Sequence, residues 1–146
     1  MRAIVQDRYG PSSVLRMQDV PVPEPAPDEV LVAVHAASMH ADVWHAVTGA
    51  PMVLRVMGSG LRRPKQPIPG IDVSGTVVKV GSDVTDLKPG DDVFGETTRR
   101  QQWTNGGAFA EFAAVLGARE LQIFAQHFEQ RFGWIDECFD RLAVNC

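Results

Sequence analysis

The sequence has little cysteine, no long apolar run and no excess of positive charge. Its 146 residues include only two cysteines, Cys138 and Cys146, so a disulfide framework is not expected. No stretch approaches the roughly 20 apolar residues that a membrane-spanning helix needs. The formal net charge of −4 argues against a nucleic-acid-binding protein, which usually carries a basic surface. The first ten residues show no secretory pattern, so we expect a cytoplasmic protein with no membrane or nucleic-acid partner.

A dinucleotide-binding fingerprint is also absent. Such a domain begins with a strand, a G-x-G-x-x-G turn and a helix whose N-terminus receives the pyrophosphate. The nearest fragment, Gly58-Ser59-Gly60, lacks the third glycine and the preceding strand. Only about thirty residues follow Val115, too few for a doubly wound sheet. We therefore expect no Rossmann domain in this chain.

The clearest pattern that is present spans residues 67–95 and reads PIPGIDVSGTVVKVGSDVTDLKPGDDVFG. The β-branched run Val73–Val80 predicts a strand with a glycine turn at each end. Lys88-Pro89-Gly90-Asp91 predicts a second turn, because proline presets one dihedral and glycine tolerates the left-handed region. Asp92–Gly95 then predicts the start of another short strand. This stretch indicates a compact β-unit and shows no catalytic group.

Further strands are predicted on both sides of this unit. The patterns place them at 2–6, 14–20, 29–38 and 108–115, the first two forming a hairpin. Residues 29–38 are apolar on both alternating faces, so this strand should be buried on both sides. His35 interrupts one face, and we expect it to be hydrogen-bonded or edge-facing. The four prolines between 21 and 27 favour an extended surface connection.

Helical patterns are shorter and lie in three places. Residues 39–49 predict a short helix that ends at Gly49, and residues 51–57 predict another. From Gly117 onward, Leu121, Phe124 and Phe128 recur at helical spacing. We expect this tail to be helical and to pack on the β-domain or on another subunit, as in a homo-oligomer. The expected fold is thus mainly β, with short helices and a C-terminal helical tail.

The central stretch PGIDVSGTVVKVGSDVTDLKPGDDVFG resembles the GroES-like catalytic domain of medium-chain dehydrogenase/reductases. It looks closest to the zinc-independent, quinone-oxidoreductase-like branch, some members of which are named NAD(P)-dependent alcohol dehydrogenases. Three other segments agree with the same family in order and spacing, namely MRAIVQDRYG, EVLVAVHAAS and GGAFAEF. The resemblance implies a partly open β-barrel over residues 1–115, with residues 116–146 forming a tail unlike the family. It also implies that NADPH or NADH passes hydride to a quinone, enone or carbonyl substrate. Because the nucleotide domain is missing, we expect the chain alone to bind cofactor poorly and to be inactive.

The same resemblance implies a site at the strand-to-helix junction, which in the family faces the cleft between the two domains. On this basis the catalytic candidates are His40 and Asp42, the substrate-binding candidates are Trp44, His45 and Phe94, and the cofactor-binding candidate is Thr48. His40 could donate or orient a proton, because histidine titrates near neutrality. The structural alternatives are that Asp42 only stabilises the helix N-terminus and that Trp44 only fills the core. Tyr9, the only tyrosine, is a weaker candidate for the proton donor.

No metal is expected. Zinc needs three or four nitrogen, sulfur or carboxylate ligands in tetrahedral geometry. By resemblance to the zinc-dependent relatives, His40 stands in the place of a cysteine ligand, Ile71 in the place of a histidine ligand, and Asp72 in the place of a glutamate. Isoleucine cannot ligate a metal, and both cysteines lie outside the region of the family's structural zinc loop.

Two other functions stay open from the sequence. The fold is shared with co-chaperonin subunits, so the chain could be a non-catalytic binding or assembly module. The loop Glu96–Asn105 would then be a loose counterpart of the mobile loop by which those subunits reach their partner. The chain could also be an inactive fragment whose tail shields exposed β-surface.

Overall fold

The computed structural model describes residues 1–39, 41–97, 107–116 and 121–123. In this part the chain forms seven strands, one α-helix (α1, Ala41–Thr48), a 3-10 turn at Ser12–Val14 and a helical turn at Arg55–Ser59. The strands are β1 (Arg2–Val5), β2 (Arg16–Asp19), β3 (Glu29–Ala37), β4 (Asp72–Val80), β5 (Asp92–Glu96), β6 (Phe112–Leu116) and β7 (Leu121–Ile123). The mainly β fold predicted from the sequence is confirmed.

The strands form two antiparallel sheets that join without closing. β1 and β2 make the predicted hairpin, and the larger sheet has the order β6-β3-β4-β5-β7. Ahead of β6 the chain pairs with β1: the Ile4 amide donates to the Phe109 carbonyl at 2.8 Å, and the Glu111 amide donates to the Arg2 carbonyl at 3.1 Å. The hairpin thereby extends the larger sheet at one side. Because β7 forms the opposite edge, the result is the expected partly open barrel.

One face of the larger sheet makes the main core. Val30 and Val32 of β3, Val77 of β4, Val93 of β5 and Val115 of β6 are each at most 1% exposed. β-branched side chains suit this pleated surface, and each buried valine contributes roughly 1.5–3 kcal/mol. The prediction that β3 is buried on both sides is correct only for Glu29–Val32, because the strand runs out of the core and becomes exposed from His35. His35 is hydrogen-bonded as expected, with its Nε2 3.5 Å from the Thr76 hydroxyl.

The helix α1 packs through Val43 and Val47 against Val14, Leu15 and Phe109, in a small core separate from that of the larger sheet. Its end is fixed by hydrogen bonds to its last carbonyls. Gly49 ends it as predicted, with φ of +63° in the left-handed region. The Arg55 side chain then donates from Nε to the Gly49 carbonyl at 2.8 Å and from Nη2 to the Thr48 carbonyl at 3.0 Å. These bonds satisfy carbonyls that a helix end leaves unpaired and join α1 to the following turn.

The helix predicted from Gly117 is wrong for residues 121–123. They form β7, which pairs with β5 so that Leu121 lies opposite Gly95, and Leu121 is buried. Pairing with the open edge of β5 decides the conformation here, and three residues are too few to show a strand period. The predicted tail helices beyond residue 123, and any contact of the tail with another subunit, lie outside the described residues. Within the described ranges no helix is long and apolar enough to cross a membrane.

Candidate functional site

The ends of three neighbouring strands meet at one side of the sheet. Register places Ala37 of β3 opposite Val73, and Asp72 of β4 opposite Glu96 of β5. A cavity of about 520 Å³ opens there, lined by Ala36–Ser38, Asp72–Ser74 and Phe94–Glu96. The strand-to-helix junction that precedes α1 lies at the same end of β3. The register of the sheet therefore brings together residues that are far apart in the chain.

Two of the residues that line this cavity, Ser38 and Asp72, are joined by a hydrogen bond. The Ser38 hydroxyl donates to Oδ2 of Asp72. Sequence reasoning missed this pair, because the two residues are 34 positions apart and only the register of β3 against β4 brings them together. A serine hydroxyl held by a carboxylate has lone pairs left for a second donor and is polarised by the negative charge. This part of the lining is thus polar at a place where a small ligand can reach it.

The lining of the cavity also includes an aromatic side chain, that of Phe94. Phe94 pairs with Ser74, so both side chains project from the same face of the sheet, and both line the cavity. An aromatic ring beside hydroxyl and carboxylate groups suits a flat, mostly apolar ligand that has a few polar atoms. The structure thus places Phe94, a predicted substrate-binding residue, in a cavity, while its role stays a prediction.

The other described candidates lie on α1. Asp42 is in the first turn of the helix, where its carboxylate interacts favourably with the helix dipole. Trp44 is 56% exposed, so the alternative that it only fills the core is wrong. Its ring meets the His45 imidazole edge-on, with 5.1 Å between centroids and 72° between planes.

Local hydrogen bonds define what His45 and Thr48 can offer. Nδ1 of His45 lies 2.5 Å from the Ala50 carbonyl oxygen. Because a carbonyl only accepts, Nδ1 carries the proton, and Nε2 of the neutral ring is the acceptor. The Thr48 hydroxyl donates to the Trp44 carbonyl at 2.8 Å and accepts from the Ala50 amide at 3.3 Å. The Thr48 hydroxyl therefore donates its proton within the helix. Any contact with a cofactor would use the remaining lone pair of this hydroxyl as an acceptor.

The comparisons with known proteins agree with this architecture. Residues 26–123 match the family described as the alcohol dehydrogenase GroES-like domain. The chain belongs to this family. The match includes all of β3, α1 and the cavity residues, and it also includes β7.

The relatives of this GroES-like domain are oxidoreductases. A chloroplastic quinone-oxidoreductase homolog from Spinacia oleracea is 38% identical over 116 residues, which cover 79% of this chain and 32% of that protein. A chloroplastic NADPH-dependent alkenal/one oxidoreductase from Arabidopsis thaliana is 34% identical over 121 residues, covering 79% of this chain and 29% of that protein. The structure of the quinone oxidoreductase from Coxiella burnetii superposes with a TM-score of 0.70 at 29% identity and covers 84% of this chain and 36% of that one. The GroES-like domain thus spans about a third of the length of these relatives.

Not all predicted site residues come together in the described part of the GroES-like domain. Phe94 lines the cavity, whereas none of the cavity-lining residues comes from α1. His40, which connects β3 to α1 in the sequence, lies outside the described residues. The residues predicted from the sequence thus lie in two regions, α1 and the cavity, and the structure adds Ser38 and Asp72 to the lining of the cavity.

Tyr9 has a structural role in this GroES-like domain. Its hydroxyl lies 2.8 Å from the carbonyl oxygens of both Ser59 and Gly60, to which it donates. The Arg55 guanidinium lies over the ring, 4.3 Å from the centroid. Burial raises the pKa of Tyr9, and the positive charge of Arg55 acts in the opposite direction. Its proton is used to hold the turn after α1, so we do not assign Tyr9 as the proton donor.

Among the described residues, no three His, Cys, Asp or Glu side chains are grouped so that they could hold a metal ion. Ile71, which stands where the resemblance implies a histidine ligand, is a buried apolar residue that is 8% exposed. The described lining of the cavity thus offers two carboxylates, Asp72 and Glu96, and that of Asp72 accepts a hydrogen bond from Ser38.

Proposed function

We propose that this GroES-like domain is the substrate-side part of a zinc-independent, NAD(P)H-dependent oxidoreductase that acts on a quinone, an enone or another carbonyl compound. The observation that carries the proposal is the cavity at the ends of β3, β4 and β5, with Phe94 and the Ser38–Asp72 pair in its lining. The names of the relatives, a quinone oxidoreductase and an NADPH-dependent alkenal/one oxidoreductase, support this substrate class. The proposal keeps the cytoplasmic location expected from the sequence.

The residues are proposed to bind and orient the substrate. Phe94 would pack against the flat apolar part, and the Ser38 oxygen, whose proton is donated to Asp72, would accept a hydrogen bond from a hydroxyl of the bound molecule, such as that of a reduced quinone. His40 is the proposed proton donor or orienting group at the strand-to-helix junction, and Asp42 is the second proposed catalytic residue there. Trp44 and His45 would border the entrance from α1. Each of these roles keeps the substrate fixed, which is what a hydride acceptor requires.

The nicotinamide cofactor, which supplies hydride when bound, does not fit the described residues of this chain alone. A pyrophosphate site needs a strand, a glycine-rich turn and a helix N-terminus in sequence. Among the described residues, the helical turn containing Gly58 and Ser59 has no strand before it and leads to an irregular loop. Thr48 is the one residue that we propose to touch the cofactor. Because the chain spans about a third of its relatives, we propose that the nucleotide site belongs to a part that these 146 residues do not supply.

The proposal of zinc independence rests on which side chains stand at the ligand positions implied by the family. A catalytic zinc site uses three protein ligands, and the buried Ile71 removes one of the positions implied by the family. Metal analysis of the purified chain tests this directly. We expect less than one zinc per chain after dialysis, and a single tightly bound zinc would contradict this part of the proposal.

The test of the proposed function is a ligand titration followed by NMR. The isotope-labelled chain is titrated with 1,4-naphthoquinone, and separately with NADPH and with NADH. We expect the quinone to shift the amide signals of Ala36–Ser38 and Phe94–Glu96, and we expect neither nucleotide to shift any signal. Phe94→Ala should weaken quinone binding several-fold, whereas Val78→Ala, an exposed residue of the same sheet away from the cavity, should not.

The outcomes separate the candidate functions. Quinone shifts elsewhere, or none at the solubility limit, would contradict a substrate site in the cavity and would favour a non-catalytic binding module or an inactive fragment. Specific nucleotide binding would instead show that the chain holds a cofactor site of its own. A turnover assay with quinones and enones would then decide whether the chain is active alone.

A further inference from the structure

The surface next to α1 carries an unusual concentration of exposed apolar side chains. Six of them are between 55% and 71% exposed, and we call this set the ridge: Trp44, Met52, Val53, Val56, Met57 and Leu61. Single exposed apolar residues are ordinary on a protein surface, whereas a group of this kind marks an interaction site. The ridge is distinct from the cavity, because the residues that line the cavity include none of it.

The ridge is held in place by contacts beneath it. Leu54 is buried, which turns Val53, Val56 and Met57 outward on the other side of the same helical turn. Arg55 ties that turn to the end of α1, and the Tyr9 hydroxyl holds its last residues. A fixed apolar surface loses little conformational entropy when it is covered, so it is well suited to binding.

The charge around the ridge is positive. Residues 43–71 contain no aspartate or glutamate and four basic residues, namely Arg55, Arg62, Arg63 and Lys65. Arg55 is engaged with α1, but Arg62, Arg63 and Lys65 are all exposed at the end of the ridge. A partner for this surface should therefore combine apolar side chains with negative charge.

The end of the chain has that combination in its sequence. Residues 124–146 contain four phenylalanines and one tryptophan, together with four carboxylates against two arginines. These 23 residues would span about 35 Å as a helix and about 75 Å when extended, so they can reach across a domain of this size. Because they are tethered, their effective concentration at the ridge is in the millimolar range.

We propose that residues 124–146 cover the ridge of their own chain. The aromatic side chains pack on the methionine and valine residues, and the carboxylates lie near Arg62, Arg63 and Lys65. A second copy is the less favourable occupant, because a two-fold contact of ridge on ridge would bring two sets of these cations together. The inference does not rest on the substrate cavity, because the residues that line the cavity include none of the ridge. The two proposals share Trp44, which belongs to the ridge and is also proposed to border the entrance for the substrate.

Paramagnetic broadening in the full chain tests this contact without any destabilising mutation. Cys138 and Cys146 are the only cysteines, and both lie in residues 124–146, so a nitroxide attached to them labels only that segment. The chain has five methionines whose methyl signals can be followed by NMR. Met52 and Met57 report on the ridge, while Met1 and Met17 report on the β1–β2 hairpin. We expect loss of the Met52 and Met57 signals, with Met1 and Met17 retained at the intensity of the reduced, diamagnetic sample.

Control samples decide between the possible occupants. Isotope-labelled chain without nitroxide, mixed with unlabelled nitroxide chain, should keep all five signals. Loss of Met52 and Met57 in this mixed sample would overturn the proposal in favour of a homo-oligomer. Equal loss at all five methionines, or no loss at any, would overturn it as well. If the carboxylates lie near these cations, broadening should be weaker in the double variant Arg62→Glu with Arg63→Glu, whereas Lys79→Glu, a charge reversal on β4 outside the ridge, should leave it unchanged.

Discussion

At the scale of single residues, the end of α1 depends on a small group of side chains that touch one another. Tyr9 donates to the turn after the helix, Arg55 stacks on its ring, and Gly49 lies between them. A cation over an aromatic face contributes about 0.5–1 kcal/mol at a partly exposed position. These contacts join the end of α1, the helix that carries Trp44 and His45, to the turn that follows it.

The ionisation of Tyr9 is a direct measure of this packing. Burial raises its pKa and Arg55 partly opposes the rise, so the stability linked to the neutral phenol is present below the ordinary tyrosine pKa of about 10 and is lost as the pH rises through the higher folded value. Because Tyr9 is the only tyrosine, phenolate absorbance reports it alone. We expect a higher titration midpoint in the folded chain than in urea, and a further rise in Arg55→Met. A fall of the midpoint in Arg55→Met would show that the cation does not act on the ring.

Gly49 should tolerate no side chain. Its φ is +63°, and a Cβ there would lie 2.5 Å from Nε of Arg55 and 2.6 Å from Cδ1 of Tyr9. We expect Gly49→Ala to lower the free energy of unfolding by at least about 2 kcal/mol, from backbone strain plus overpacking. Gly90 is the matched control, since its φ is +96° and a Cβ would meet nothing within 4 Å. Urea denaturation should show Gly90→Ala to be the milder variant, and equal losses would mean that the contacts with Arg55 and Tyr9 are unimportant.

At the scale of elements, the turn from β4 to β5 shows how a short motif sets register. Asp91 accepts from the Lys88 amide at 3.0 Å and from the Lys88 ammonium at 2.6 Å. The Gly90 amide donates to the Val77 carbonyl at 2.8 Å, which anchors the turn to β4. This turn fixes the pairing of Asp72 with Glu96 further along, and thereby the walls of the cavity.

The Asp91 carboxylate should make the stability of this turn dependent on pH. The hydrogen bond from the Lys88 side chain lowers the pKa of Asp91, and the Lys88 amide acts in the same direction. The stabilisation is therefore present above the ordinary carboxylate pKa of about 4 and is lost as the pH falls through the lowered value. We expect Asp91→Asn to cost about 0.5 kcal/mol at neutral pH, since solvent screens the exposed Lys88, and less in acid. Asp86→Asn, an exposed change just ahead of the turn, should cost little, and a pH-independent loss in Asp91→Asn would contradict the role of the charge.

Much of the strand pattern was readable from the sequence, because β3 is apolar over most of its length and β4 carries a β-branched run between two glycine turns. The end of α1 was equally readable from Gly49. β7 was not, since pairing with the edge of β5 overrides the helical spacing of its apolar residues. The Ser38–Asp72 pair was not either, because its geometry depends on a register that no local pattern contains. The helix of the candidate site could thus be predicted from the sequence. The lining of the cavity could not, because strand pairing determines which residues meet there.

At the scale of the whole molecule, the C-terminal region has two parts, whereas the sequence pattern predicted a single helical tail. Residues 121–123 belong to the sheet, and Leu121 is 5% exposed in the core. Residues 124–146 are the proposed cover of the ridge. Truncations at two points should therefore have different effects.

A chain that ends at Ile123 should keep its sheet, whereas a chain that ends at Leu116 should not keep its full stability. Removing β7 exposes the edge of β5 and the core next to Leu121, at a cost of about 2 kcal/mol for the leucine alone. Thermal unfolding followed by circular dichroism should give a clearly lower midpoint for the chain ending at Leu116 than for the chain ending at Ile123. Equal midpoints for the two truncated chains would show that β7 contributes nothing.

The pairing of β1 with the segment before β6 has a consequence for how the protein is made. Arg2 bonds to Glu111, 109 residues later, and β1 meets its second neighbour only through that segment. At the usual 5–20 residues per second of synthesis, β1 waits roughly 5–20 s after it is made before that neighbour exists. During this time β1 is paired only with β2, and the side chains of Ala3 and Val5 are not yet fully buried. β1 is thus made before the other strands of this domain and is among the last of them to be fully placed.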